Sequence, residues 1–204
     1  MINIKKCDII YVIMKDINLI VATSINYGIG YDNKMCWNIP DELKHFKKIT
    51  TTVDDENKKN CVIMGKNTWF SLPKAPLKDR INIVITDNNY DTLTKTIGSD
   101  EVIVLKSIND ALLYVNINKN IECAFIIGGA QLYNDFLNNY IEHIKYVYMS
   151  VVIDKQYECD KFIASNIIFN NFEFEKNIAQ QNNKYISMIG KNKYDYKIID
   201  EEPD

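Results

Sequence analysis

Histidine, glycine and proline are scarce in this chain: two, seven and four of them in 204 residues. The two imidazoles, His45 and His143, stand far apart, so no histidine-based metal site is spelled out. No glycine- or proline-rich stretch divides the sequence, and its length leaves room for one ordinary domain or two very small ones. The five cysteines (Cys7, Cys36, Cys61, Cys123, Cys159) are odd in number, widely spaced and without a C-x-x-C pair. That excludes a disulfide framework and a thiolate zinc ribbon, and it reads as mostly buried thiols in a reducing compartment. The apolar run at 9–14 is too short to span a bilayer and lacks a small-residue cleavage site. A cytoplasmic setting is therefore expected, with no membrane partner. A basic surplus is missing too: 24 Lys and Arg face 27 Asp and Glu, a net charge of −3, which argues against a nucleic-acid partner.

What is present suits a folded core, with 47% hydrophobic and 25% charged residues. Asn, Ile and Lys are abundant but interleaved, a bias in residue choice and not a low-complexity tract. Short Val- and Ile-rich runs at 19–23, 61–64, 81–86, 101–105 and 124–127 are nearly uniformly apolar, as strands buried on both faces are. Helical patterns follow several of them, at 41–49, 66–71, 107–115 and 131–140. Ser107 with Asp110 three residues on has the form of a capping box. This rhythm predicts an α/β fold, a mostly parallel twisted central sheet with flanking helices. Strand patterns at 146–153, 172–179 and 193–199, with no helix between the last two, predict an antiparallel strand pair at the C-terminal edge. The expected division is an N-terminal extension (1–18), a domain (19–199) and an acidic tail (200–204). The tail reads either as a terminus or as the start of a linker.

Open parallel sheets bind ligands beyond the carboxyl ends of their strands, so the loops there carry the search. After the first strand comes Gly28-x-Gly30, with Asn33 where a third glycine would stand and no helix before Pro40; a flexible loop competes with a dinucleotide turn. In the helix at 41–49, Leu43, Phe46 and Ile49 form an apolar stripe, and Glu42 lies on that face. Asp41, His45 and Lys48 fall on the other side, expected in solvent. A carboxylate on a buried stripe costs free energy unless hydrogen-bonded; the competing reading is a first-turn Glu complementing the helix dipole. Gly65-Lys66-Asn67-Thr68 puts a cation, a hydroxyl and free amides at a helix start, suited to phosphate, without the spaced glycines of a Walker A loop. An ordinary strand-to-helix turn fits the same residues. Gly128-Gly129, ahead of Ala130-Gln131-Leu132-Tyr133, permits close approach of a ligand to the main chain, or simply a tight corner.

Taken in order, Ile20-Val21-Ala22, Gly28-Ile29-Gly30, the Trp37-Asn38-Ile39-Pro40-Asp41-Glu42-Leu43 run, Val62 to Trp69, Lys78-Asp79-Arg80-Ile81-Asn82, and Gly128-Gly129 with Tyr133 resemble the dihydrofolate reductase family over roughly 19–199. The resemblance implies NADPH-dependent reduction of 7,8-dihydrofolate to tetrahydrofolate, with hydride passing to pterin C6 and a proton to N5, serving one-carbon metabolism and thymidylate synthesis. It selects Glu42, five positions after Trp37, as the acid whose two oxygens grip the pterin edge, with Trp37 backing an ordered water. Ile20, Val21, Ala22, Met35, Leu43, Phe46 and Leu72 then match the apolar pterin wall. Arg80, otherwise read as a surface charge, matches the partner of the substrate's α-carboxylate. Ile127 and Tyr133 match residues near the nicotinamide, and Ser150 stands where a Thr helps hold the acid. For NADPH the matching positions are Ala22, the loop residues Gly28, Ile29, Gly30 and Lys34, the turn Lys66-Asn67-Thr68, and Thr86 and Lys106 around the 2′-phosphate. Gly128 and Gly129, matching a cis peptide, and Ala130, Gln131 and Leu132 complete the set. Antifolates are implied as ligands and, from some lineages, a fused or partner thymidylate synthase; no metal is implied.

Three positions depart from the family pattern. Cys36 replaces the usual Pro before the Trp, Ser150 lacks a Thr methyl, and Asp87 puts a carboxylate near the expected 2′-phosphate, weakening the case for NADPH over NADH. Two other readings compete. The related reductase domain of riboflavin synthesis lacks the Trp37 and Glu42 pairing, and a binding module without turnover has no need of Glu42 with the paired glycines.

Overall fold

The computed structural model describes residues 14–175 and 180–194. In chain order the strands are β1 (Ile17–Thr23), β2 (Gly28–Gly30), β3 (Lys59–Gly65), β4 (Ile81–Ile85), β5 (Val102–Leu105), β6 (Ile121–Gly128), β7 (Ile144–Val152), β8 (Lys161–Phe162), β9 (Phe172–Phe174), β10 (Gln180–Gln181) and β11 (Tyr185–Asn192). The helices are α1 (Pro40–Thr51), α2 (Lys66–Ser71), α3 (Tyr90–Ile97), α4 (Ile108–Ile117), α5 (Ala130–Asn139) and α6 (Ser165–Asn171). Nine strands form one sheet ordered β10-β11-β7-β1-β6-β3-β4-β5, with β9 also pairing β11. From β7 through β5 every neighbouring pair is parallel; β11 runs antiparallel to β7, β9 and β10. The expected α/β class and antiparallel edge are present.

Strand alternation sorts the apolar side chains onto two faces. Leu19, Val21, Ile63, Ile83 and Ile126 pack under α4 and α5, with Leu112, Val115 and Phe136. Ile20, Val62, Met64, Val84 and Phe125 turn to the opposite face, against Trp69 of α2 and the half-buried Phe46 and Ile49 of α1. Because both faces are covered, the strands can be apolar throughout, which is why their sequences hardly alternate.

Several boundaries differ from expectation. The strand that pairs with β7 is 185–192, whose alternating Tyr185, Ser187 and Ile189 carry the pairing; of the expected strand 193–199, Lys193 and Tyr194 form a turn and 195–199 lie outside the described residues. α3 was not expected, because YDTLTKTI offers one buried anchor, Leu93. The short pair β2–β8 was missed as well. Residues 1–13 of the expected extension, 176–179 of the expected strand and the tail 200–204 lie outside the described residues. Among the described residues no helix is long and apolar enough to cross a membrane.

Candidate active site

α1 begins where the loop after β1 returns to the sheet, and Pro40 occupies its first turn, where a missing N–H costs nothing. Glu42 is thereby set over β1 and β7, with only 5% of its surface exposed. It accepts a hydrogen bond from Ser150, which favours the charged form, but burial is the larger effect and raises its pKa above the usual carboxylate range. Among the described residues it has no cationic partner within ion-pair distance. Nearby, the buried Tyr133 hydroxyl donates to the Ile20 carbonyl at 2.7 Å, and burial together with the Glu42 charge pushes the phenol strongly upward. Trp37 is buried edge-on against Tyr157 at 5.4 Å, and its indole Nε1, which can only donate, finds no acceptor among the described residues. Thr23 Oγ1, at the end of β1, is likewise buried without a partner among the described residues.

At the far end of the same helix lies Arg80. It is 4% exposed, where sequence alone reads a surface charge. Its Nε donates to the Lys78 carbonyl at 2.9 Å, its Nη1 to Thr50 Oγ1 at 2.8 Å, and its guanidinium sits 5.9 Å from the Phe46 ring centre. Burial lowers its pKa, and the adjacent Asp79 is turned to Lys47 at 3.6 Å. The Arg80 loop is fixed by Asn82, a buried amide in β4 whose side chain bonds both the N–H and the carbonyl of Leu77 and the Arg80 carbonyl. Glu42 and Thr50 are eight residues apart on one helix, so the buried acid and the Arg80 anchor are separated by about 12 Å along its axis.

The other wall residues divide. Ile20 is buried, Ala22, Phe46, Leu72 and Ile127 are half-buried, and Leu43 is 44% exposed along the helix between the acid and Arg80. Alternation turns Val21 to the opposite face from Ile20, where it packs under α4 and α5. Met35 is half-exposed and lines a surface hollow with Tyr31 and Tyr157. His45 corrects another expectation: it is not free in solvent but half-buried, with Nε2 2.9 Å from Ser187 Oγ, and burial lowers its pKa. Asp41 is exposed beside Lys44, as expected.

The second cluster lies along the carboxyl edge of β3, β4, β5 and β6. Gly65 and Gly129 are the N-caps of α2 and α5, so neither helix has a side-chain cap and their first amides face outward. The two starts touch: a Cβ on Gly129 would stand 3.1 Å from Thr68 Oγ1. The Gly128–Gly129 peptide is cis, and Gly128 has φ 106°, with a Cβ there only 2.8 Å from the Tyr133 ring. Only glycine fits both demands. Lys66 donates to Asn89 Oδ1 at 2.7 Å, and Lys106 stands 4.8 Å over the Tyr90 ring. Thr86 is buried, while Asn67, Asp87 and Gln131 are exposed and Leu132 is buried in the core. In the loop after β1, Gly28 packs so closely on Cys159 that any Cβ would collide, and a Cβ on Gly30 would meet the Lys34 carbonyl at 2.9 Å. Chain packing explains both glycines, and Ile29 lies half-buried between them.

Sequence alone gives no role to Thr50 or Ser187, and places Asn82 only within the run 78–82. Only Asn82 left a signal, an amide inside an otherwise apolar strand.

A family model described as dihydrofolate reductase matches residues 16–201. A dihydrofolate reductase of Candida albicans is 35% identical over 148 residues, 71% of this chain and 73% of its own length. One of Heliothis virescens is 32% identical over 151 residues, 73% and 79% of the two. A bifunctional dihydrofolate reductase-thymidylate synthase of Arabidopsis thaliana is 35% identical over 152 residues, 72% of this chain but 28% of that protein. With a family model matching most of its length and relatives more than 30% identical over about seven-tenths of it, the chain belongs to the dihydrofolate reductase family.

Proposed function

We propose that this enzyme reduces 7,8-dihydrofolate to 5,6,7,8-tetrahydrofolate with NADPH. The observation that carries the reading is the pair of buried charges at the two ends of one helix face, Glu42 and Arg80, neither with an ion-pair partner among the described residues. Glu42 offers two acceptor oxygens to the amide-like edge of a pterin, and Arg80 a planar donor fork to a carboxylate about 12 Å along α1. The half-buried Phe46 and Leu72 and the exposed Leu43 give the ring and its linker an apolar bed between them. Glu42 holds a proton more readily than an exposed acid does, because burial raises its pKa; that favours delivery of a proton toward N5 through water. The Trp37 indole donor has no acceptor among the described residues and suits such a water.

The residues at the β3–β6 edge fit a dinucleotide. Two neighbouring glycine-started helices turn their amides to one place, where any Cβ on Gly129 would crowd Thr68, and this suits a diphosphate. Lys66 and Lys106 add positive charge at that edge, Lys106 where the 2′-phosphate of NADPH is expected. When bound, the reduced nicotinamide supplies the hydride. The protein's contribution is to hold ring and acid in register and to keep the acid out of bulk water. A fused or partner thymidylate synthase, antifolate binding and a cytoplasmic location belong to the same proposal. The test is consumption of reduced nicotinamide, followed by its absorbance, with dihydrofolate present. NADPH is expected to support turnover faster than NADH; no consumption with either refutes the reading.

A further inference from the structure

Four cysteines fall among the described residues, all free. Cys61 is fully buried, and Cys123 donates to Asn60 Oδ1 at 3.0 Å. Cys36 and Cys159 differ: their sulfurs are 3.6 Å apart and both residues are partly accessible. The two segments that carry them are already bound together. The Asp160 N–H donates to the Gly30 carbonyl at 3.0 Å, β2 pairs with β8 on the far side of Cys159, and Trp37 rests on Tyr157. An open hollow lined by Tyr31, Met35, Lys155 and Tyr157, among others, reaches Cys36 from solvent.

We propose that Cys36 and Cys159 are a reversible modification site, closed to an internal disulfide by small-molecule disulfides of the glutathione class. A thiolate of the pair attacks one sulfur of the small disulfide and expels one small thiolate, leaving a mixed disulfide. The second protein thiol loses its proton to solvent, attacks the protein sulfur of that bond and expels the other small thiolate. The protein gives up two electrons and two protons, and the small disulfide is reduced to two thiols. An S–S bond is about 2.0 Å long, so closure asks the sulfurs to approach by roughly 1.5 Å. Their standing contact gives the second step a high effective concentration, so the mixed disulfide resolves internally and does not accumulate. Burial, and then the hydrogen bond with Cys159, push Cys36 up to about 11, so exchange quickens as the pH rises. Closure also pulls on the residue bonded to Trp37 and hence on the entry to α1. This last consequence is read through dihydrofolate turnover and rests on the proposed function.

The experiment incubates the whole chain with oxidised glutathione, blocks free thiols and digests with trypsin without reductant. The expected product is a linked pair of peptides, residues 35–44 with 156–161, that disappears on adding dithiothreitol. C36S and C159S each lose it. Persistent glutathione adducts, links through Cys7, Cys61 or Cys123, or no link at all overturn the proposal. Turnover of the linked protein is expected to fall several-fold and to return with dithiothreitol. A linked protein with undiminished turnover overturns the claimed restraint. Should the reduced chain consume no dihydrofolate, the proposed function fails while the peptide map still decides the disulfide.

Discussion

Replacing Arg80 with Leu tests the long axis of the proposed site. Of the five N–H donors on a guanidinium, two are spent inside the protein, on the Lys78 carbonyl and Thr50 Oγ1. Three donors remain, and with them a buried positive charge that no described carboxylate neutralises within ion-pair distance. A ligand carboxylate that takes those donors gains charge-assisted hydrogen bonds with a net value of about 1.5–3 kcal/mol. Leu keeps the contact with Phe46 but supplies none of them. The expected loss of dihydrofolate affinity is therefore roughly 10- to 150-fold. A dihydropterin without the glutamate tail serves as the internal control, since it never reaches residue 80. The assay is the ratio of KM values for the two substrates in wild type and R80L, with thermal melts confirming that the variant is folded. If both substrates weaken equally, or neither does, Arg80 does not bind the tail and the axis is misdrawn.

Glu42→Gln keeps the Ser150 contact but abolishes the acid, so turnover with dihydrofolate should fall roughly 10²–10⁴-fold while NADPH binding stays near wild type. The same variant carries a stability signature. The folded pKa of Glu42 is raised, so the native chain retains a proton that the unfolded chain has released, and wild-type stability drains away as pH climbs through that window. E42Q should consequently melt at or above the wild-type temperature at neutral pH, with the difference vanishing in acid; a lower neutral melt contradicts the burial argument. Asp87→Arg removes a negative charge beside the Lys106 strand end, and should tighten NADPH, but not NADH, by about 0.5–1 kcal/mol in fluorescence titrations at low salt. Equal effects on both cofactors place residue 87 away from the 2′-phosphate. Gly128→Ala forces a Cβ to 2.8 Å from the Tyr133 ring at a backbone angle hostile to side chains. A cost of about 1–3 kcal/mol is expected, or roughly 3–10 °C in melting temperature, and an unchanged melt refutes the crowding.

The parallel strands were legible because burial on both faces makes them uniformly apolar; 61–64 and 81–86 could hardly be anything else. The antiparallel C-terminal edge was legible, but its bounds were not, because Tyr185–Asn192 mixes Ser, Gly and Lys into its pattern while 193–199 has richer β-forming chemistry. Glu42 could be placed on a helix face from spacing, but its burial depends on Ser150, more than a hundred residues away. Arg80 shows the same limit more sharply. A lone arginine after an aspartate reads as surface charge, and only the folded positions of Thr50 and Asn82 hold it inside. Helix periodicity puts His45 in solvent because it knows nothing of Ser187, which comes down beside it from β11.

Two helices that open on glycine have a cost in the resting protein, since neither Gly65 nor Gly129 can quench the amides it introduces. A molecule that satisfies both sets at once stabilises the native state by mass action, by about 2.7 kcal/mol at a hundredfold excess over its dissociation constant. For the proposed dinucleotide, this makes the lifetime of the polypeptide in a cell follow the cofactor's supply, scarcity exposing it to proteases and plenty shielding it.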